Sequence, residues 1–228
     1  MNSASRRPLV IIGNGEIAAM ACEYFKHDSG YTPVGFAIGS DYIKGDSFEG
    51  LPVVSLSDLA STWSPVEVDA FVAIGDAQLN RVRTRHLVHV KALGYRIASY
   101  VSSRCFRWHN VVVGENCLIL EGNTLQPFVE IGDNVILWSG NHIGHRSRIE
   151  DNVFITSHVV VSGFCSIGAF SYIGVNASIA NGVTIAEDNF IAMGAVVGQS
   201  TQADTIYQGN PAEPRKIAAT RFHRVKPA

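Results

Sequence analysis

Hydrophobic residues follow two different patterns along the chain, and the change falls near residue 105. In the first part, short apolar runs alternate with amphipathic stretches. This pattern predicts strands at residues 9–12, 34–38, 51–54, 70–75 and 95–100, and helices at residues 16–25, at residues 80–93 and from a cap near Asp58. Alternating strands and helices are typical of a small parallel α/β domain.

The second part repeats every six residues. From Val113 onward, each sixth residue is Val, Ile or Leu through fifteen repeats without a gap. A period of six fits neither an α-helix nor an alternating strand, and it is typical of a parallel β-helix built from triangular turns of three hexads. The aliphatic positions are Val113, Ile119, Leu125, Ile131, Leu137, Ile143, Ile149, Ile155, Val161, Ile167, Ile173, Ile179, Ile185, Ile191 and Val197.

Composition limits what such a chain can do. The 228 residues, 46% of them apolar, suffice for two cores, and we predict domains at residues 1–104 and 105–228. A net charge of −2 without a basic run argues against a nucleic-acid partner. The apolar run at residues 8–12 is too short for a membrane span, and the four cysteines form no CxxC pair. The default prediction is a soluble, cytoplasmic protein.

Five segments carry a resemblance to a known family. Together with the hexads, the chain resembles the left-handed β-helix acyltransferases, in particular the sialic-acid O-acetyltransferases and the bacterial UDP-4-amino-sugar N-acetyltransferases. The resemblance covers nearly the whole chain. The segments are Gly13-Asn14-Gly15, residues 71–75, residues 94–97, the hexad that contains His145, and residues 209–212.

This resemblance implies a function. It implies an acetyltransferase of surface-polysaccharide biosynthesis that moves an acetyl group from acetyl-CoA to the amino group of a nucleotide-linked sugar. It also implies a homotrimer, with acetyl-CoA lying between neighbouring subunits. The N-terminal domain is expected to hold the nucleotide sugar at Gly13, Asn14, Gly15 and Gly75, and His142 is a further candidate substrate contact.

The resemblance also assigns the reacting residues. The catalytic histidine falls on His145, and Gly163, one turn later, falls on a glycine near the thioester. Val175, Met193 and Gly194 match positions that contact CoA largely through the main chain. Amine attack on a thioester needs a group that accepts a proton, and histidine titrates near neutrality.

Three residues depart from the family pattern. Arg146 stands where many relatives carry a carboxylate that orients the catalytic histidine, and Phe154 stands where they carry a second histidine. Glu16 follows Gly15 where a Gly-His pair is usual. The group that orients His145 is therefore open between Glu150, a backbone carbonyl and a residue of an adjacent subunit.

Other interpretations remain open at this stage. His145 can be a surface or interface histidine, and the same holds for His142 and His158. A zinc hydratase of the same fold would need three histidines, but the spacings of 3 and 13 residues among these three do not reproduce that arrangement, so no metal is predicted. Sugar O-acetylation and a non-catalytic sugar-nucleotide-binding scaffold are the further alternatives.

Overall fold

A computed structural model describes residues 6–226, and it divides into two compact units. The first unit runs to Gly75 and includes Arg85–Tyr100. The second comprises Asp76–Thr84 and the chain from Val101 onward. The functional division at residue 105 stays a prediction.

The first unit is a sheet with helices. Its strands β1, β2, β4 and β5 run parallel, in the order β3-β4-β2-β1-β5, and β3 pairs antiparallel with β4 at the edge. The predicted α/β class is confirmed, with a mixed sheet in place of an all-parallel one. The elements are β1 (Arg7–Ile12), α1 (Glu16–His27), β2 (Tyr31–Ile38), a 3₁₀ helix (Ser40–Tyr42), β3 (Ser47–Phe48), β4 (Leu51–Ser55), α2 (Leu59–Thr62), β5 (Asp69–Val72) and α3 (Arg81–Ala92), which continues from the second unit.

Burial explains why these segments form. The last four residues of β1 are fully buried, as expected for the centre of a parallel sheet. Helix α1 buries Ala18, Ala21, Cys22 and Phe25, which share one face at helical spacing. Helix α2 begins after Asp58 as predicted, although the Asp58 side chain makes no capping hydrogen bond.

The prediction of a strand over residues 95–100 is wrong. Only Ile97 makes an isolated bridge, to Ala70, before the short strand β6 (Tyr100–Val101) begins. Two backbone hydrogen bonds to Ala70, both at 2.9 Å, form that bridge. Side chains also anchor the segment, since the Tyr95 hydroxyl donates to the Leu59 carbonyl at 3.2 Å and Arg96 pairs with the buried Asp69 at 2.8 Å. An apolar run bounded by turn residues does not distinguish these two situations.

The second unit is a parallel β-helix, which confirms the hexad prediction. All fifteen aliphatic positions are the second residue of a two-residue strand, and each strand from β7 to β19 pairs in parallel with the strand eighteen residues further along. The strands are β7 (Phe106–Arg107), β8 (Val112–Val113), β9 (Leu118–Ile119), β10 (Thr124–Leu125), β11 (Glu130–Ile131), β12 (Ile136–Leu137), β13 (His142–Ile143), β14 (Arg148–Ile149), β15 (Phe154–Ile155), β16 (Val160–Val161), β17 (Ser166–Ile167), β18 (Tyr172–Ile173), β19 (Ser178–Ile179), β20 (Thr184–Ile185), β21 (Phe190–Ile191) and β22 (Val196–Val197).

The strands form three sheets that meet at turns, which we call corners. The aliphatic residues point inward and form one continuous core with small or β-branched residues such as Cys165, Ala177 and Val183. The second residue of many corner turns has a positive φ, for example Asn134 at 60° and Asn152 at 62°. Asparagine tolerates that left-handed conformation better than most residues, which explains its recurrence there.

A hairpin and a short helix follow the last hexad. Strands β23 (Thr205–Gln208) and β24 (Glu213–Ala218) pair antiparallel, and helix α4 (Ala219–Phe222) follows them. Leu79, Ile206 and Ala219 form a small separate core there. Within residues 6–226, no helix has both the length and the apolar character that crossing a membrane requires.

Candidate active site

One sheet of the β-helix carries the candidate residues of the second unit. It contains strands β7, β10, β13, β16, β19 and β22, and we call it the His142 sheet. Along the chain, each strand of this sheet follows one corner and precedes another. The corner before the strands, which we call the His158 corner, contains Ser139-Gly140, Ser157-His158, Val175-Asn176 and Met193-Gly194. The corner after the strands, which we call the His145 corner, contains Pro127-Phe128, His145-Arg146, Gly163-Phe164 and Asn181-Gly182.

His145 is exposed and is held by the turn that precedes it along the β-helix axis. Its backbone N–H lies 2.8 Å from Oε1 of Gln126, and its Nδ1 lies 3.2 Å from the same oxygen. The ring also meets Phe164 edge-on, with centroids 5.0 Å apart. These contacts fix the ring although it stands at the surface.

Gly163 lies directly against the ring of His145. A Cβ atom at this position would lie 2.5 Å from Cε1 and 2.8 Å from Nε2 of His145, closer than van der Waals contact allows. A glycine is therefore required for the ring to lie over this backbone. The two residues that the sequence assigned to the reacting centre are in contact.

Aromatic and cationic side chains surround this pair. The guanidinium of Arg146 lies 4.3 Å from the ring centroid of Phe128, within the range of a cation–π interaction. Arg148 pairs with Glu150 at 3.0 Å, so Glu150, one candidate to orient His145, is engaged elsewhere. Phe128 and Phe164 are 51% and 55% exposed, which leaves apolar surface beside His145.

The other candidates lie across the sheet from His145. His142 is the outward-facing residue of β13 and is half-buried, with Thr124 and Val160 as its neighbours on the adjacent strands. Val175, Met193 and Gly194 lie on the His158 corner, so one chain does not bring them into the pair formed by His145 and Gly163.

His158 and Phe154 take up structural positions. The ring of His158 lies over Gly140, where a Cβ would approach its Nδ1 to 2.5 Å. Phe154 is buried in a different sheet and stacks on Tyr172, which in turn stacks on Phe190. Phe154 therefore belongs to an aromatic ladder outside the His142 sheet.

The first unit gathers the predicted substrate residues at the carboxyl ends of its strands. Gly13 adopts φ +128°, and a Cβ there would lie 2.6 Å from the Ala73 carbonyl oxygen. Gly15 directly precedes α1, and Gly75 lies close to Ile17 in the first turn of that helix. This is the edge at which parallel α/β sheets bind ligands, because helix N-termini attract anions there.

A cavity of about 330 Å³ lies beside this edge. Asn14 lines it, and its amide donates to the Tyr42 carbonyl at 3.3 Å. Sequence reasoning missed the other polar lining residues, Lys44 and Ser47, which belong to the loop and edge strand after β2. A lysine beside Gly45 in a loop after a buried strand was the available signal.

Two of the cysteines, Cys105 and Cys117, have raised pKa values. Burial raises the pKa of Cys105 to about 11 and that of Cys117 to about 12, which keeps both thiols protonated and poorly nucleophilic. Among residues 6–226, no group of three or more His, Cys, Asp or Glu side chains is arranged to hold a metal ion.

Comparison with known proteins identifies the repeats. Residues 110–144 and 128–163 match the family model for the bacterial transferase hexapeptide (six repeats). No curated protein matches the chain. The hexads from residue 110 to residue 163 are therefore similar to bacterial transferase hexapeptide repeats, as the sequence resemblance implied.

Solved structures extend the similarity to both units. PerB from Caulobacter crescentus, in complex with CoA and GDP-perosamine, is 25% identical with a TM-score of 0.83 and covers 91% of this chain and 97% of its own. The acetyltransferase domain of PglB from Neisseria gonorrhoeae, in complex with acetyl coenzyme A, is 25% identical with a TM-score of 0.81 and covers 92% of this chain and 100% of its own. WeeI from Acinetobacter baumannii is 21% identical, with a TM-score of 0.67 and coverages of 92% and 100%.

These similarities define the fold class. The chain has a small α/β domain followed by a left-handed β-helix of hexapeptide repeats, the fold of the PglB acetyltransferase domain and of PerB. Both relatives are described with CoA or acetyl-CoA bound.

Proposed function

We propose that this protein transfers an acetyl group from acetyl-CoA to the amino group of a nucleotide-linked amino sugar. The observation that carries the proposal is the contact between His145 and Gly163 on an exposed corner of the His142 sheet. The fold shared with PerB, which binds CoA and GDP-perosamine, supports the cofactor and the acceptor class. Polysaccharide biosynthesis is the setting that such an acceptor suggests.

The chemistry follows from the two residues in contact. Attack of the amine nitrogen on the thioester carbonyl forms a tetrahedral intermediate with a negative oxygen, and the nitrogen must lose a proton. We assign the proton transfer to the imidazole of His145. Collapse of the intermediate then breaks the carbon–sulfur bond, and the departing CoA thiolate takes the proton from the imidazolium. Among residues 6–226, the backbone N–H of Gly163 bonds to no acceptor, so it is free to donate to the developing oxyanion.

Substrate and cofactor are assigned to different parts of the chain. Gly13, Asn14, Gly15 and Gly75 are proposed to hold the nucleotide part of the acceptor, with the amine of Lys44 available to its phosphates. In the second unit, His142, which faces outward from the His142 sheet, is proposed to contact the sugar. Gly163, Val175, Met193 and Gly194 are proposed to bind CoA, the last three from the His158 corner.

We also propose a homotrimer in which the CoA contacts of one subunit face His145 of its neighbour. This arrangement accounts for the separation of Met193 from His145 within one chain. Val160, Phe164 and Met193, on the His142 sheet and its two corners, are 43%, 55% and 78% exposed, and exposed apolar side chains favour an interface. A cytoplasmic location agrees with the four free thiols and with the supply of acetyl-CoA.

The experiment is a free-thiol assay with acetyl-CoA and a panel of UDP-, dTDP- and GDP-linked amino sugars. We expect CoA release with at least one amino sugar and none with the matching sugar that carries a hydroxyl in place of the amine. Release with the hydroxyl acceptor alone would replace N-acetylation by O-acetylation. Zinc analysis of the purified protein tests the hydratase alternative, and light scattering tests the trimer.

A further inference from the structure

Gln126 is the side chain that makes the closest polar contacts to His145. It follows strand β10, and its own backbone N–H donates to the Ile143 carbonyl at 3.1 Å, which fixes its position in the ladder. From there its Oε1 reaches both the backbone N–H and Nδ1 of His145, at 2.8 and 3.2 Å. One amide oxygen therefore meets two nitrogens of the same residue.

The backbone contact settles which end of the amide faces His145. A backbone N–H only donates, so the atom 2.8 Å from it must be the amide oxygen and not the amide nitrogen. An amide oxygen only accepts, so Nδ1 of the neutral ring must carry its proton to bond to the same atom. Nε2 then holds the free lone pair, and a Cβ at Gly163 would lie 2.8 Å from this nitrogen and 3.0 Å from Nδ1.

We propose that Gln126 is the positioning residue that holds His145 in the Nδ1–H tautomer, with Nε2 as the proton acceptor. This inference rests on the proposed function for its catalytic consequence, although the tautomer itself does not depend on it. A neutral amide thereby takes the orienting role that the sequence left open among Glu150, a backbone carbonyl and a neighbouring subunit.

The protonation of His145 depends on whether its partner is a neutral amide or a charged carboxylate. The side-chain contacts of the ring, to Gln126 and Phe164, are both uncharged. On the same turn, Arg146 is cationic and lies over Phe128, and Arg148 is paired with Glu150. A glutamate at position 126 would add an anion beside the ring and stabilise the imidazolium, which cannot accept a proton.

The test combines two variants with two readouts. Gln126→Met keeps the length of the side chain and removes the acceptor, and Gln126→Glu keeps an acceptor and adds a charge. Gln208→Met, at an exposed position in β23, is the matched control. The readouts are the ¹⁵N–¹H spectrum of ¹⁵N-histidine-labelled protein, with the His145 signals assigned from His145→Ala, and the pH profile of kcat.

We expect a protonated Nδ1 on neutral His145 in the native protein and a shift toward Nε2–H in Gln126→Met. In that variant kcat should fall roughly 10- to 100-fold, less than for loss of the base, while KM for acetyl-CoA stays within about twofold. Gln126→Glu should regain turnover, with the acidic limb of its profile moved to higher pH. Gln208→Met should match the native protein in every readout.

Two results would overturn the inference. One is an Nε2–H tautomer in the native protein, and the other is an unchanged tautomer and kcat in Gln126→Met. The spectra decide the tautomer even if no acceptor on the panel supports turnover, so failure of the proposed function and failure of this inference are distinguishable. If Gln126→Met does not fold, the spectrum of the native protein and the pH profile of Gln126→Glu still decide it.

Discussion

Two corners of the same β-helix share one backbone conformation but differ in the hydrogen bonding of their side chains. At one corner, Asn116, Asn134 and Asn152 stack eighteen residues apart, and the amides of the first two each donate to the side-chain oxygen of the next asparagine at 2.8 Å. At the His145 corner, Arg146 occupies the equivalent turn position with nearly the same φ, 57° against 60° for Asn134. Its neighbours along the axis, Phe128 and Phe164, are exposed aromatic residues.

At the corner of Asn116, Asn134 and Asn152, which we call the asparagine corner, every polar group of Asn134 has a hydrogen-bond partner. The guanidinium of the fully buried Arg83 donates to the Asn134 side-chain oxygen and to its carbonyl, both at 2.9 Å. Burial lowers the pKa of Arg83 to about 9, an effect that Asp76 opposes, so the group stays charged at neutral pH. Such a closed network stabilises a single arrangement.

The His145 corner differs, since within residues 6–226 neither Nε2 of His145 nor the backbone N–H of Gly163 has a hydrogen-bond partner. The rings of Phe128 and Phe164 lie on the same corner. The comparison shows that the hexad repeat determines the backbone conformation of a corner but does not by itself identify a functional site. A site is indicated by side chains whose polar atoms have no hydrogen-bond partner within the repeat.

The largest expected effect on stability is at the asparagine corner. Asn134→Ala removes the acceptor of a buried guanidinium and places alanine at a positive φ, so we expect a loss of about 3 kcal/mol in stability. Thermal unfolding at fixed protein concentration measures it. The matched control is Asn176→Ala, because Asn176 has a similar φ of 59° but is exposed on the His158 corner.

For Asn134→Ala, kcat of the folded protein should not change. For Asn176→Ala, we expect a loss below about 1 kcal/mol. Equal losses in the two variants would show that the backbone conformation, and not the amide network, supports the asparagine corner.

A smaller effect, on activity alone, is expected at Gly163. A methyl group in Gly163→Ala would push the His145 ring away from its place, and we expect kcat to fall roughly 10- to 100-fold with little loss of stability. Thiol release and thermal unfolding together measure this. The control is Gly198→Ala, where a Cβ meets nothing within 4 Å. An unchanged kcat in Gly163→Ala would remove this glycine from the reacting centre.

Much of the fold could be predicted from the sequence, because a pattern that is weak in one hexad becomes a strong signal when it recurs in every hexad. Every aliphatic hexad position became a strand residue, and the family resemblance paired His145 with Gly163, which the structure brings into contact. The strand over residues 95–100 was wrong because the backbone bonds to the sheet only around Ala70, and side chains of Tyr95 and Arg96 hold the rest of the segment. Gln126 was not among the predicted orienting groups, which were Glu150, a backbone carbonyl and a residue of an adjacent subunit; it lies nineteen residues before His145 along the chain.

The smallest expected effect is a pH dependence near the C-terminus. Burial lowers the pKa of His223 from its ordinary value of 6.5, an effect that Asp76 opposes, and the ring packs 4.7 Å from that of Phe190. Below pH 6.5 the unfolded chain therefore binds more protons than the folded chain at this site, so acidification is destabilising until the pH falls below the folded pKa.

We expect the unfolding temperature to fall less between pH 7.5 and pH 5.5 in His223→Gln than in the native protein. Because the ring is only half-buried, solvent screening keeps the difference small. Because the other titrating groups are the same in both proteins, comparing the two proteins at each pH isolates the contribution of His223. An identical pH dependence in the two proteins would remove His223 as a contributor.

The central claim is that His145, and not its neighbour His142, accepts the proton. The direct measurement is kcat for His145→Ala and His142→Ala, with trimer content and acetyl-CoA binding checked in both. We expect His145→Ala to keep the assembly and cofactor binding and to lose about 10²- to 10⁴-fold in turnover, with a much milder loss in His142→Ala. The reverse order of the two losses would contradict the claim and assign the base to His142.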